Sequence, residues 1–140
     1  MCLSIVTRVM ERGGKPEPRM VVGYKCFTNT TSKIFTCQRL RSRKRPRGKW
    51  LNSQKQWNDV PAYMLGWHIF RTLAAAHSYV GYATSYVGYN IIKVYGYGVV
   101  AVGSQSYIND QPAWVTTHLY VPLGKEKPPR PYAHKAKKRR

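Results

Sequence analysis

Positive charge is concentrated in two short segments, and this constrains the fold of the 140-residue chain more than any other feature. Residues 39–49 hold seven Lys and Arg residues and no acid, and residues 125–140 hold eight with a single Glu. Together they carry 15 of the 24 positive charges. Like charges repel one another and stay hydrated, so neither segment can enter a hydrophobic core. The fold must come from the rest of the chain, which carries nine basic and four acidic residues.

The rest of the chain is large enough to form one domain with a hydrophobic core and no disulfide or structural metal. Hydrophobic residues make up 43% of the sequence, which argues against disorder. We expect a domain over residues 1–123, with the basic loop 39–49 inserted, and a flexible, Pro-rich basic tail over 124–140. The oligomeric state cannot be predicted from these patterns.

Neither a transmembrane helix nor a secretory signal is predicted, because there is no run of 18 apolar residues and no cleavage site near the N-terminus. Cys2, Cys26 and Cys37 are odd in number and contain no C-x-x-C pair, which favours reduced thiols. We therefore expect a cytoplasmic protein.

Alternation and β-branched residues predict six strands, and Gly96–Gly98 could hold a bulge. The strands are expected at residues 2–10, 19–28, 33–40, 63–70, 90–103 and 114–122. Residues 39–62 are predicted to form a long loop whose second half is anchored by Trp50, Leu51 and Trp57.

One helix is predicted over residues 73–80, with Thr72 as its N-cap and Gly81 at its end. Its spacing puts Leu73, Ala76, His77 and Val80 on one face. The fold class is therefore α+β, a single domain with a mostly antiparallel sheet of about six strands and one main helix.

The sequence lacks the common catalytic and metal-binding motifs, namely a phosphate-binding loop, HExxH and zinc-finger spacing. It holds only five acidic residues, too few and too scattered for a two-metal nuclease or a paired-carboxylate hydrolase. We predict no cofactor, no metal and no catalytic residues, and an enzyme is the less favoured class.

Several short segments resemble a group of small uncharacterised phage-encoded proteins. These segments are GYKCF (23–27), GKWL (48–51), LGWHIF (65–70), the alanines of the helix (74–76) and YGVVAVG (97–103). The resemblance covers about residues 20–105 and leaves out the basic loop and the tail. It implies a virus-encoded protein acting in the cytoplasm of an infected bacterium, and it carries no known activity.

A metal-independent ribonuclease is the one enzymatic hypothesis compatible with so few acids, because His, Tyr, Lys and Arg can supply its base, acid and phosphate contacts. His68 and His77 flank a strand–helix junction with Arg71 between them, and Tyr63, Tyr95 and Lys93 could lie near. The competing interpretation is a hydrogen-bonded, half-buried His68 and a His77 on the helix surface.

Nucleic-acid binding is the leading hypothesis, with RNA slightly favoured because aromatic residues accompany the charge. Trp50 and Trp57 would stack on bases or, alternatively, pack the loop onto the core, and the tyrosines of 79–97 could form a stacking platform or simply pack. The expected phosphate contacts are Arg39, Arg41, Arg43, Lys44, Arg45, Arg47, Lys49, Arg130, Lys135, Lys137, Lys138, Arg139 and Arg140.

The same positive charge could instead bind an acidic protein or an anionic membrane. A viral protein that modulates its host could use it to bind an acidic host protein surface. A membrane surface is not expected, because Pro46, Gly48 and Pro128 interrupt any basic amphipathic helix.

Overall fold

The computed structural model describes residues 3, 5–28, 33–34, 43–44, 47–53, 57–59, 62–83, 89–105 and 111–131. The strands in these ranges are β1 (Ile5–Val9), β2 (Glu17–Thr28), β3 (Lys33–Ile34), β4 (Arg43–Lys44), β5 (Trp50–Asn52), β6 (Trp57–Asp59), β7 (Ala62–Met64), β8 (Trp67–Phe70), β9 (Tyr89–Gln105) and β10 (Gln111–Tyr120). The helix α1 spans Leu73–Ala83. All strand pairings are antiparallel, so the predicted α+β class with a mostly antiparallel sheet is confirmed.

Four strands close into a small ring, because each of them pairs with two of the others. The long strand β9 pairs with β2 along its first part and with β10 along its second part. β10 pairs in turn with β8, and β8 meets β2 at the Tyr24–Phe70 pair. β1 is added beside β9, β5 beside β10, and β3 and β4 beyond β2. A separate two-stranded sheet consists of β6 and β7.

Glycine allows β2 and β8 to approach closely where the ring closes. A Cβ on Gly23 would lie under 3.0 Å from the Phe70 carbonyl oxygen and the Ile69 side chain.

The predicted bulge lies close to Gly98, whose φ is +78°. Thr116 pairs with Val99 and Val115 with Ala101, so Val100 is the extra residue on β9.

The buried side chains form two clusters. The first packs beneath α1 and the β6–β7 sheet and consists of Leu3, Cys26, Tyr63, Leu65, Phe70, Ala75, Ala76, Val100, Ala101, Ala113 and Val115. The second consists of Trp67, Ile69, Val94, Leu119 and Val121. Trp67 and Ile69 face the second cluster while Phe70 faces the first, because side chains alternate along a strand.

Thr72 is the N-cap of α1, as predicted, since its hydroxyl accepts the Ala75 N–H at 3.0 Å. The residues predicted to share a face differ in burial. Leu73 is 46% exposed and His77 is exposed, whereas Ala75 and Ala76 are buried. Small side chains let the helix lie close to β2, where the Cys26 thiol donates to the Ala76 carbonyl at 3.7 Å. The helix also continues through Gly81, which therefore does not end it.

The prediction of one long loop over residues 39–62 is wrong at β4, β5 and β6. β5 forms because it pairs with β10, and its Leu51 packs against the second cluster. The strand predicted over 63–70 is interrupted at residues 65–66, between β7 and β8. Of the strand predicted over 33–40, only Lys33–Ile34 lies within the described residues.

Candidate nucleic-acid interface

The end of the basic loop and the beginning of the tail meet at one edge of the sheet. Leu51 of β5 pairs with Leu119 of β10, which brings residues 47–50 beside residues 121–130. The Gly48 N–H donates to the Val121 carbonyl at 2.8 Å. The Arg47 guanidinium donates twice to the Pro122 carbonyl, at 3.1 and 2.7 Å.

The indole of Trp50 completes this connection. Its N–H donates to the Pro129 carbonyl at 2.7 Å, across 79 residues of sequence. The described parts of the two cationic segments, residues 47–49 and 125–131, are thereby attached to the same edge of the sheet, although the sequence separates them widely.

Five cationic side chains are exposed at this meeting point, and we call them the cationic junction. They are Arg47, Lys49, Lys125, Lys127 and Arg130. The bonds to Pro122 occupy two of the five N–H donors of the Arg47 guanidinium. Exposed Lys and Arg side chains grouped in this way are suited to binding phosphate oxygens.

Glu126, the acid within the tail, holds the turn that carries the junction. Its carboxylate accepts the N–H groups of Leu123 at 2.8 Å and Gly124 at 2.9 Å, and the Tyr120 hydroxyl at 3.3 Å. These backbone hydrogen bonds, that of Leu123 first, lower the pKa of Glu126 from its ordinary 4.5. Burial, and then the Glu126 carboxylate, raise the pKa of Tyr120 above its ordinary 10.0.

Beside the junction, five rings lie on one face of β5, β10 and β9. We call Trp50, Tyr95, Tyr97, His118 and Tyr120 the aromatic face. Trp50 lies opposite Tyr120, Tyr120 opposite Tyr95, and His118 opposite Tyr97. The ring centres are 5.5 to 6.5 Å apart and the rings meet edge to face, an arrangement that their quadrupoles favour.

The two tryptophans proposed to stack on bases have different surroundings. Trp50 packs against Tyr97, His118 and Tyr120 and has its N–H bonded to the tail, so the packing interpretation describes it well. Trp57 lies on the β6–β7 sheet, where the Arg12 guanidinium is 5.6 Å from its ring centre. The structure therefore groups Trp50, and not Trp57, with the cationic junction.

Of the other predicted phosphate contacts, Lys49 and Arg130 lie at the junction with Arg47. Arg43 and Lys44 form β4, which pairs with β3. The remaining ones lie outside the described residues, and they are Arg39, Arg41, Arg45, Lys135, Lys137, Lys138, Arg139 and Arg140. The sequence reasoning did not place His118 and Tyr120 at the site, although they repeat with a period of two on one strand, as Tyr95 and Tyr97 do.

His68 is buried, with 5% of its surface exposed, and both of its ring nitrogens are hydrogen-bonded within the protein. The Tyr63 hydroxyl lies 3.2 Å from Nε2, and Nδ1 lies 3.3 Å from the Gly66 carbonyl oxygen. Since a carbonyl only accepts, Nδ1 carries the proton and Nε2 accepts from Tyr63. The Tyr63 oxygen accepts the Leu3 N–H in turn, at 2.9 Å.

Burial, and then the positive charge of Lys25, hold the pKa of His68 well below its ordinary 6.5. Lys25 is itself buried and donates to the His68 carbonyl at 2.7 Å. His77, in contrast, is exposed on α1. Of the two histidines in the ribonuclease hypothesis, His68 is hydrogen-bonded, as its competing interpretation expected, but it is buried and not half-buried.

Two further observations concern ligands and membranes. Across the described ranges, no group of three or more His, Cys, Asp or Glu side chains is placed to hold a metal ion. Within the same part of the chain, no helix has the length and apolar character needed to cross a membrane.

Comparison with known proteins finds no matching family model, no similar curated protein and no similar solved structure. The resemblance to phage-encoded proteins therefore stays a prediction.

Proposed function

We propose that the protein binds nucleic acid, with the cationic junction as its folded phosphate-binding surface. The observation that carries this proposal is a pair of hydrogen bonds that attaches both cationic segments to the β5–β10 edge, one from Gly48 to Val121 and one from Trp50 to Pro129. Each segment alone could be a solubilising run. Their attachment to one sheet edge supports a shared anionic ligand.

The charge of the whole chain supports the same proposal. The formal net charge is +19, and binding to a polyanion would release its condensed counterions. Contacts to phosphate give affinity without reading the sequence, so we expect binding that is mostly electrostatic. If the phage resemblance holds, the ligand would be met in the cytoplasm of an infected bacterium.

The first experiment measures binding of the full chain, freed of co-purified nucleic acid, by fluorescence anisotropy. The probes are labelled single-stranded RNA, duplex RNA and duplex DNA of equal length, each titrated at several salt concentrations. We expect log K to fall linearly with log salt, by roughly 0.7 to 0.9 per phosphate contacted. The order of the three affinities identifies the class of nucleic acid.

A matched pair of variants then locates the site. Lys125→Gln with Lys127→Gln removes two charges from the junction, and Arg12→Gln with Lys15→Gln removes two exposed charges from the β1–β2 connection. Both pairs lower the formal net charge to +17. We expect the junction pair to flatten the salt slope by about 1 to 2 units and the control pair to leave it nearly unchanged.

Equal losses of affinity and of salt slope in the two double variants would mean that binding depends only on the total charge. The junction would then not be the site. If none of the three probes binds at low salt, nucleic-acid binding is wrong. The acidic host protein surface then becomes the hypothesis to test.

A further inference from the structure

We infer that the aromatic face, with Tyr95 and Tyr97 at its open side, takes unpaired bases, so that the ligand of the cationic junction is a single strand. This inference rests on the proposed function and names its substrate class. It follows from three features of the sheet, namely which way the rings point, what covers them and which charges flank them.

The rings point away from the second buried cluster. Val94, Gly96 and Leu119 are buried, and Tyr95, Tyr97 and His118 alternate with them along β9 and β10 and are partly exposed. The cross-strand partners of Tyr95 and Tyr97 on β2 are Val22 and Met20. Two rows of neighbouring side chains therefore cross the sheet. One runs from Val22 to Trp50 and the other from Met20 to His118.

The helix covers a different part of β2. α1 meets that strand at Cys26, through the Cys26–Ala76 hydrogen bond, which is four residues beyond Val22. Val22 is 41% exposed, a high value for a large apolar side chain in the middle of a sheet. An apolar and aromatic surface left open in this way is typical of a binding site.

Cations lie near the open rings, on β9 and beyond β5. Lys93 is exposed and precedes Tyr95 by two residues, so it shares the same face of β9. The cationic junction lies beyond Trp50, on the other side of β10 from Tyr95. The nearby acid, Glu126, has its carboxylate bound to Leu123, Gly124 and Tyr120. A strand lying across the face would find cations for its phosphates at Lys93 and at the cationic junction.

Rings with cations beside them are complementary to a single strand. Unpaired bases expose their flat faces to tyrosine and histidine rings, whereas the bases of a duplex are already stacked on each other. A duplex could contact the junction through its phosphates but could not use Tyr95 or Tyr97. The structure thus supports a preference for single strands that comes from the rings and not from the charges.

The test compares two replacements at each tyrosine in the full chain. Tyr95→Leu and Tyr97→Leu keep an apolar side chain but remove the ring, and Tyr95→Phe and Tyr97→Phe keep the ring. The probes are a labelled 12-nucleotide oligouridine and an RNA duplex of 12 base pairs, each titrated at several salt concentrations. We expect each Leu variant to weaken oligouridine binding by roughly 5- to 150-fold. The Phe variants and the duplex affinity should change less than about twofold, and the salt slope should stay the same.

Photocrosslinking gives a second readout that does not depend on a variant folding. A 5-iodouridine oligonucleotide irradiated with the unaltered protein should attach to the peptide that contains Tyr95 and Tyr97. The inference is overturned if the crosslinks avoid this peptide, or if the folded Leu variants bind oligouridine as tightly as the unaltered protein.

Equal loss of oligouridine and duplex binding in folded Leu variants overturns it as well. If salt-dependent binding persists while one of these results overturns the inference, the proposed function is still supported. Absence of binding to every polynucleotide defeats both proposals and points to a protein as the occupant of the face.

Discussion

At the scale of single residues, Cys26 is a thiol that the fold makes unreactive. It is buried, and burial raises its pKa from 9.0 to about 12. Because the thiolate is the reactive form, a shift of this size lowers its population at pH 8 by about 1,000-fold. In a chain carrying Cys2→Ser and Cys37→Ser, we expect iodoacetamide to modify Cys26 rapidly in denaturant and very slowly in the native protein. Native labelling as fast as that of a free thiol would contradict this.

His68 makes stability depend on pH. Its folded pKa lies well below 6.5, so the unfolded chain binds a proton at this side chain more readily than the folded one. The stabilisation is therefore complete above pH 6.5 and is lost as the pH falls from 6.5 towards the folded value. We expect the free energy of unfolding, measured in urea, to fall by up to about 1.4 kcal/mol per pH unit in this window.

Two variants test whether His68 causes this slope. His68→Gln should flatten it and lower stability at pH 7.5, because the hydrogen bonds to Tyr63 and Gly66 are disturbed. His77→Gln, which alters an exposed histidine on α1, should keep the slope of the unaltered protein. A slope that survives in His68→Gln would assign the effect to another group.

At the scale of elements, the turn at residues 123–126 holds the tail through one carboxylate. The lowered pKa of Glu126 means that its contribution is present above pH 4.5 and is lost as the pH falls through the folded value. We expect Glu126→Gln to loosen the backbone of this turn, with faster trypsin cleavage after Lys125 at neutral pH. In the unaltered protein, the Leu123 and Gly124 amides should lose protection, relative to their intrinsic exchange rates, at low pH.

Glu11→Gln, in an exposed turn between β1 and β2, is the matched control for this change. It should leave the cleavage rate after Lys125 unaltered. If both variants resist trypsin as well as the unaltered protein does, hydrogen bonds other than those of Glu126 hold the tail.

The elements also show how far local sequence determines this fold. Alternation in β2, β9 and β10 and the hydroxyl of Thr72 are local signals, and the structure has strands and a helix start there. β5 has only three residues and exists because β10, about 70 positions later, pairs with it. No local pattern predicts such a strand, nor the meeting of the two cationic segments that depends on it.

Which residues of α1 are buried could not be predicted, for a related reason. Hydrophobic spacing selects the largest apolar residue, Leu73, but close packing onto β2 selects the smallest, Ala75 and Ala76. Which of these decides the outcome depends on the distance between helix and sheet. That distance is a property of the assembled domain, as the Cys26–Ala76 contact illustrates.

At the scale of the whole molecule, the ring of β9, β10, β8 and β2 is closed by its shortest strand pairing, the single Tyr24–Phe70 pair. Gly23 permits this closure, because an added Cβ would collide with the backbone of Phe70 and the side chain of Ile69. Backbone cannot move aside as a flexible side chain can. We expect Gly23→Ala to separate β2 from β8 and to lower stability by about 1 to 3 kcal/mol or more in urea denaturation.

Gly124→Ala is the matched control for this change, since its added Cβ would meet only the Glu126 carboxylate, at an ordinary 3.8 Å. It should change stability by less than about 0.5 kcal/mol. The closed ring joins both core clusters, because Phe70 belongs to one and Ile69 to the other. Opening it should therefore give one cooperative transition at lower denaturant, seen equally by tryptophan fluorescence and circular dichroism. Equal stability of the two alanine variants would mean that β2 and β8 are not held together at Gly23.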